Sequence, residues 1–307
     1  MRNQTVRYIR MNYQLYLLLI PGFLFLLLFK YIPIYGLLIA FKDFSLFGGS
    51  NIIEAIWNSP WVGMKHFDRL MHLPDFINVL SNTLIISTYK IVFLFPLPII
   101  LAILLNEIVK AWFKKPLQSI LYLPHFLSWI VVAGMYQSIL GTTGIVTTLF
   151  DALFGYSPAF MLDPDLFRSV LVFQEGWKGI GWNMIVYLAA ISAIDPQLYE
   201  AARVDGATRF QRMIHVTLPG ISSTIILMLI LRLGNILEAG FEQILVMYNP
   251  IVYQVSDIIQ TLTFRVGLGQ MDFSLGTAVG LFNSVTAFIL IVSANLVCRK
   301  MFGRSIY

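Results

Sequence analysis

The residues in this sequence with the capacity for chemistry stand where a charge is hardest to keep. Gln174, Glu175, Trp177, Lys178, Trp182 and Asn183 lie inside the apolar run Leu166 to Ile194, and Arg232, Asn235 and Glu238 interrupt the next run. A charged side chain at the bilayer centre costs about 2.5 to 3.5 kcal/mol on insertion scales, so these groups face protein or water rather than lipid. Glu175 and Lys178 are three apart, share a helix face and can offset each other's charge. That pair reads equally as an ion pair packing helices together or as part of a wet cavity. For Trp177, Trp182 and Asn183 taken together a cavity is the better fit, since ligand sites combine aromatic walls with a few placed polar groups. Asn82, Tyr89, Lys90 and Asn283 would face the same interior, each a residue type that also bonds one helix to another. Arg168, near a helix end, is expected to snorkel.

Catalytic and metal chemistry find no support. His66, His72, His125 and His215 form no H-E-x-x-H pair for zinc. The G-x-S at Gly220 to Ser222 has no histidine in the last apolar run to act as its base. No G-x-x-x-x-G-K-[ST] loop occurs, so no backbone cradle for nucleotide phosphates is encoded. The single cysteine, Cys298, reads as a small apolar residue.

The other informative stretch is Asp195 to Pro219, DPQLYEAARVDGATRFQRMIHVTLP. Asp195 can cap a helix with Pro196 in its first turn, where a missing N–H costs nothing. Gly206 breaks that helix. Thr208 followed by Gln211 has capping-box spacing, so a second helix is expected through Phe210 and Ile214 until Pro219 ends it. The product is a compact helical hairpin.

Glu200, Ala201, Ala202, Gly206, Val216, Leu218 and Pro219 follow the pattern EAA-x3-G-x9-I-x-LP, with Val216 in place of the usual Ile. On these residues the chain resembles the permease subunits of binding-protein-dependent ABC importers, and most of all those that handle oligosaccharides and other complex sugars. The resemblance implies an all-α membrane protein of the type I importer permease kind, with six transmembrane helices and a cytoplasmic coupling helix. It implies that Glu200, Ala201, Ala202, Asp205, Gly206, Arg209, Leu218 and Pro219 couple to an ATPase, and that Gln174, Glu175, Trp177, Lys178, Trp182, Asn183, Arg232 and Asn235 line a carbohydrate path. The implied partners are a second, distinct permease, two ATPase subunits and an extracellular solute-binding protein. ATP and Mg would be used by the ATPase, so this chain needs no cofactor or metal and is not an enzyme. Lys178 and Arg232 are compatible with an acidic sugar. An ion-coupled secondary transporter or channel subunit would also use intramembrane charges, but such carriers show two related halves, and none is seen here.

Elements that position these residues follow from composition. The 307 residues are 58% apolar and 12% charged, half the charge of an ordinary soluble domain. About 20 apolar residues span a bilayer, and six segments qualify: Gln14 to Ala40, Phe76 to Leu105, Leu117 to Leu140, Leu166 to Ile194, Gly220 to Leu237 and Phe273 to Met301. Pro21, Pro33, Pro96 and Pro98 predict kinks. The run after Arg2, Arg7 and Arg10 lacks a small-x-small cleavage site and reads as a retained first span. With the N-terminus inside, inner segments carry Arg2, Arg7, Arg10, Lys110, Lys114, Lys115, Arg203, Arg209, Arg212, Arg299, Lys300 and Arg304, against Lys42, Lys65, Arg69 and Arg265 outside. The positive-inside rule therefore puts both termini in the cytoplasm of a multi-pass cell-membrane protein. It leaves no basic patch that calls for nucleic acid; anionic lipid is the natural contact. The organisation expected is a cytoplasmic segment 1–13 and one membrane domain 14–307, with the coupling loop at 195–219. Lys42 to Asp75, bearing Ile52, Ile53, Trp57 and Trp61, reads as an interfacial helix or a platform for an external partner. Phe241 to Asp272 is long and polar enough for a re-entrant or surface helix.

Overall fold

The computed structural model describes residues 11–302; the arginines at 2, 7, 10 and 304 and the side chain of Cys298 lie outside that description. The described residues are helical, apart from turns and an isolated antiparallel bridge between Lys42 and Trp61. Tyr13–Leu26 (α1) continues through a π-turn at Leu27–Tyr31 into a 3-10 segment, Ile32–Phe41. Then come Ile52–Asn58 (α2), Lys65–Met71 (α3), Phe76–Leu94 (α4), Pro96–Asn106 (α5), Ala111–Tyr122 (α6), Trp129–Leu140 (α7), Ile145–Phe154 (α8) and Pro164–Ser192 (α9). Pro196–Val204 (α10) and Arg209–Arg212 (α11) form the hairpin, followed by a π-turn at Met213–Thr217 and a short turn, Leu218–Gly220 (α12). Ser222–Gly234 (α13), Phe241–Met247 (α14), Tyr253–Ser256 (α15), Ile259–Phe264 (α16), a π-turn at Arg265–Gly269 and Phe273–Phe302 (α17) complete the chain.

Among the described residues four helical runs are long and apolar enough to cross a bilayer: Tyr13–Phe41, Phe76–Asn106, Trp129–Phe154 and Phe273–Ser293. A fifth is added if Arg209–Gly220 and Ser222–Gly234, bent by 59°, count as one. At 29 residues α9 is about 43 Å long, ample for a bilayer, but its polar residues keep it outside that set.

The third expected span, Leu117 to Leu140, is not one helix. Pro124 lacks an N–H, and a 3-10 turn at Leu123–Phe126 plus extended backbone at Leu127 and Ser128 separates α6 from α7. Ser128 then caps α7, its hydroxyl accepting from the Val131 N–H at 3.3 Å. The expected fifth span is likewise shorter, because α13 stops at Gly234. A surface helix does not describe Phe241 to Asp272 either. Its helices α14 to α16 are short and bury Ile244, Met247, Ile259 and Leu262.

The chain divides into two compact units, Met1–Leu73 with Thr263–Phe282 and Pro74–Leu262 with Asn283–Tyr307. In the first, every side chain of α1 is exposed. Asn51 caps α2, accepting from the Glu54 N–H at 2.9 Å, and Lys42 closes the other end by donating to the Ile56 and Trp57 carbonyls at 2.7 and 3.0 Å. Trp57 is exposed, and Trp61 stacks on Phe41 at 5.6 Å. Asp43 takes a hydrogen bond from Lys65 at 2.6 Å, which, against a small desolvation cost, holds its carboxyl below the usual range.

In the second unit α9 is the central strut. Asp163 caps it, with Pro164 in the first turn. Phe167, Val170 and Leu171 pack with Ile86 of α4 and with Ile244 and Met247 of α14; a second cluster joins Met184, Tyr187 and Ile191 to Ile99, Ala102 and Leu105 of α5 and to Ile221. Two glycines permit the close approach. A Cβ at Gly181 would lie 1.9 Å from the Leu121 carbonyl oxygen, and one at Gly176 would lie 2.9 Å from the Leu94 side chain. Lys178 exploits the break between α6 and α7, donating to the freed carbonyls of His125 and Leu127 at 2.6 and 2.7 Å.

Candidate functional site

Lys90 of α4 is the hub of the polar interior. It is 2% exposed, and its Nζ donates to the Ala239 carbonyl at 2.8 Å and to Gln243 Oε1 at 2.6 Å, with Glu175 Oε2 at 3.6 Å. Gln243 extends the network by donating to the Leu171 carbonyl at 2.8 Å and to Gln174 Oε1 at 3.1 Å. Gly240 makes the close approach possible. Its φ is +95°, and a Cβ there would sit 2.5 Å from Lys90 Nζ.

Two cavities open beside this hub. The smaller, about 210 Å³, is lined by Lys90, Glu175, Asn183, Arg232 and Asn235 among apolar residues of α4, α5 and α13. The larger, about 690 Å³, is lined by His125, Trp129, Glu175, Lys178, Trp182, Asn183, Arg232, Glu238, Glu242 and Gln260, with backbone from Gly179 and Gly240. Its aromatic wall is ordered: Trp182 stacks on His125 with centroids 4.3 Å apart and planes within 2°. Lys178 Nζ lies 5.4 Å from the Trp129 ring centroid. Such a space offers stacking faces, carboxylate acceptors and cationic donors together, the recognition set for a polar, hydroxyl-bearing molecule.

The hairpin has a different character. Asp195 caps α10, Gly206 ends it at φ +77°, and Thr208 and Gln211 form the capping box that opens α11. The helix does not stop at Pro219 as expected. The π-turn at Met213–Thr217 lets Pro219 enter near the start of α12, where its missing N–H is harmless, and the bend falls one residue past Gly220, at Ile221. Tyr199 and Thr217 hydroxyls, 3.0 Å apart, tie the arms together. Leu198, Val204 and Phe210 are exposed on this otherwise polar knob, the pattern of a surface that meets another protein. Concavities of about 390 and 270 Å³ flank it, the first lined by Glu200, Arg203, Arg209 and Arg212, the second by Ala202, Asp205, Gly206 and His215.

The family model of the binding-protein-dependent transport system inner membrane component matches residues 94–303, which include α9, the hairpin and the whole lining of the larger cavity. The chain belongs to that family. This inner membrane component is accordingly a multi-pass membrane protein of a transport system, and the matched family is not an enzyme family. It is 47% identical over 287 residues to Protein LplB of Bacillus subtilis (strain 168), covering 93% of this chain and 88% of the relative. To the polygalacturonan/rhamnogalacturonan transport system permease protein YteP of the same organism it is 42% identical over 303 residues, covering 98% and 92%. Among solved structures it matches a chain of a bacterial ABC transporter involved in the import of the acidic polysaccharide alginate. That match has a TM-score of 0.88 and 38% identity, and covers 97% of this chain and 99% of the other. The fold is therefore the importer permease fold.

Within this inner membrane component, Glu175, Lys178, Trp182, Asn183 and Arg232 come together around the larger cavity, and Asn235 joins the smaller one. Gln174 is fully buried in the Lys90 network, and Trp177 packs edge-on against Tyr136 at 6.0 Å rather than lining either cavity. Glu175 and Lys178 do not form the ion pair their spacing suggests. Glu175 turns to Lys90, and Lys178 is drawn to the two carbonyls at the α6–α7 break. Arg168 does not snorkel; it donates to Asn82 Oδ1 at 2.6 Å and to the Val255 carbonyl at 3.1 Å, fastening α9 to α4 and to α15. Tyr89 is exposed against Phe93, whereas Asn283 is half-buried, with its Oδ1 shielded and unpartnered among the described residues. Gln243 and Gly240 are the residues of the candidate site that sequence reading passed over. The available signal was the conjunction of a glycine with a polar residue three positions on, in a segment whose apolar residues Ile244 and Met247 mark it as buried.

Proposed function

We propose that this chain is the permease subunit of an ATP-driven importer that moves an oligosaccharide or other complex carbohydrate across the cell membrane by alternating access. The observation that carries this reading is the end-to-end likeness, at 38% identity, to a chain of a bacterial ABC transporter involved in alginate import, joined to a polar, aromatic-walled cavity at the middle of α9. Six spans are counted when α9 and the bent pair are added to the four apolar runs, with both termini and the hairpin in the cytoplasm. The basic residues support that orientation through the positive-inside rule. Residues 14–307 act as one membrane domain.

The hairpin residues Glu200, Ala201, Ala202, Asp205, Gly206, Arg209, Leu218 and Pro219 seat in an ATPase subunit, which uses ATP and Mg; this chain needs neither. A second, distinct permease, two ATPase subunits and an external solute-binding protein complete the assembly. The solved alginate transporter in complex with an alginate pentasaccharide-bound periplasmic protein supports the last partner, at a TM-score of 0.87. Glu175, Lys178, Trp182, Asn183, Arg232 and Asn235 line the path, with Gln174 and Trp177 behind them. Nucleotide binding at the ATPase and loaded binding protein outside each favour one conformation, and the hairpin carries the shift between them.

The test is uptake of labelled oligosaccharide into vesicles holding the full assembly. Uptake is expected to need ATP inside and to disappear when the ATPase subunits are left out. Uptake that persists without them and follows an imposed ion gradient would make the chain an ion-coupled carrier instead.

A further inference from the structure

Three cations reach the two cavities, and the structure gives them unequal freedom. Lys90 is used up by Ala239, Gln243 and Glu175. Lys178 spends two of its three donors on backbone carbonyls and lies over Trp129. Arg232, half-buried on α13, lines both cavities, yet among the described residues it has no carboxylate within 4.0 Å and no hydrogen-bond acceptor. A guanidinium cannot shed its charge. The Arg232 donors, unclaimed among the described residues, face the two cavities and are available to an anion there.

Resting on the carbohydrate reading above, we infer that Arg232 receives a sugar carboxylate, and that the transported solute is an oligosaccharide carrying uronic acid groups. The planar guanidinium fork matches a carboxylate with two parallel N–H···O bonds. The rest of the cavity fits the rest of such a sugar. Glu238 and Glu242 accept from ring hydroxyls, and Trp129 and Trp182 supply apolar faces for the ring C–H groups. The same acids argue against a phosphorylated sugar. A phosphate would concentrate nearly two negative charges at one point of a cavity that already holds Glu175, Glu238 and Glu242, whereas each carboxylate carries one, and the one at Arg232 meets one free cation. Position strengthens the assignment: Arg232 is common to both cavities, so an anion held there stays in contact as the solute moves between them.

The test measures binding to the purified assembly in lipid nanodiscs, without the solute-binding protein, so that only the membrane site is read. Trigalacturonic acid and its fully methyl-esterified form, alike in shape and different in charge, are titrated while tryptophan fluorescence is followed. The wild type is expected to bind the acid at least about tenfold more tightly than the ester, the scale of a charge-assisted hydrogen-bond pair. Arg232→Gln is expected to erase that difference by weakening the acid alone, with the ester held within about twofold. Arg232→Lys, which keeps the charge and loses the fork, should fall between the two and stands in for Arg232→Gln if that variant fails to assemble. Equal affinity of the wild type for acid and ester, or equal weakening of both in either variant, overturns the role of Arg232 and leaves the carbohydrate reading standing. If neither sugar binds the wild type, nor any neutral maltotriose, the carbohydrate reading falls and this inference with it.

Discussion

The hairpin and the middle of α9 are two polar regions of the second unit, and they are built by opposite routes. Apart from the Tyr199–Thr217 contact, the hydrogen bonds that shape the hairpin link residues no more than five positions apart. Lys90 instead finds its hydrogen-bond acceptors 149 and 153 residues away, and Lys178 finds its own 53 and 51 residues away. A motif closed on itself can move as a rigid piece without disturbing what lies beyond it. A network drawn from distant helices holds only while those helices keep their places, so it is suited to a site whose shape must change when the helices shift.

The contrast predicts unequal damage. Lys90→Met removes the cation at the hub and leaves Gln243 Oε1, the Ala239 carbonyl and the Glu175 carboxylate without their donor. A loss of about 3 kcal/mol in stability is expected, because breaking a buried pair strands the remaining charge. Glu175→Gln placed on top should recover part of that loss, and a double-mutant cycle on thermal unfolding of the assembly checks it. Independent, additive effects would show that the two side chains are not coupled. Next comes Gly181→Ala. The new Cβ would press on the Leu121 carbonyl, which is backbone and cannot rotate away, so α6 must part from α9. About 2 kcal/mol is expected, read as a lower unfolding temperature. Gly176→Ala should cost less, since the Leu94 side chain it meets can turn aside.

Gly206→Val moves the test to the hairpin. No atom stands in the way of its Cβ, so the cost comes only from forcing a β-branched residue to φ +77°, about 1 to 2 kcal/mol. That cost should appear as weakened ATPase docking and transport, measured by co-purification of the ATPase subunits, while sugar binding at the α9 cavity stays unchanged. Loss of sugar binding in this variant would mean that the two regions are not separable.

What could be read in the sequence divides along the same line. Asp195, Gly206 and the Thr208–Gln211 box act through neighbours in the chain, so residue type and spacing specified their roles, and the structure has all three. The end of the hairpin escaped because a π-turn lets Pro219 enter a helix that its missing N–H would otherwise close. In α9 the polar positions were visible as interruptions of an apolar run, but their partners were not. The three-residue spacing of Glu175 and Lys178 describes one helix, while the outcome was settled by Lys90 on α4 and by carbonyls left free where the backbone turns extended between α6 and α7. The same limit applied to Arg168, whose use depends on Asn82 arriving from another helix.

The smallest effect gives the sharpest test of the separation. Thr208 Oγ1 accepts from the Gln211 N–H, and the Thr208 N–H donates to Gln211 Oε1 in return, so Thr208→Ala removes a cap worth about 1 kcal/mol to α11. Because that energy is local, it should loosen only the hairpin. Faster amide exchange is expected across residues 208–217 with no change at Lys90, Gln243 or Glu175, and unfolding of the whole assembly should shift by less than in either glycine variant of α9. Exchange that also quickens around Gln243 would show that the hairpin helps hold the polar core in place. A disturbance at the knob would then reach the solute site through folding stability and not through rigid motion alone.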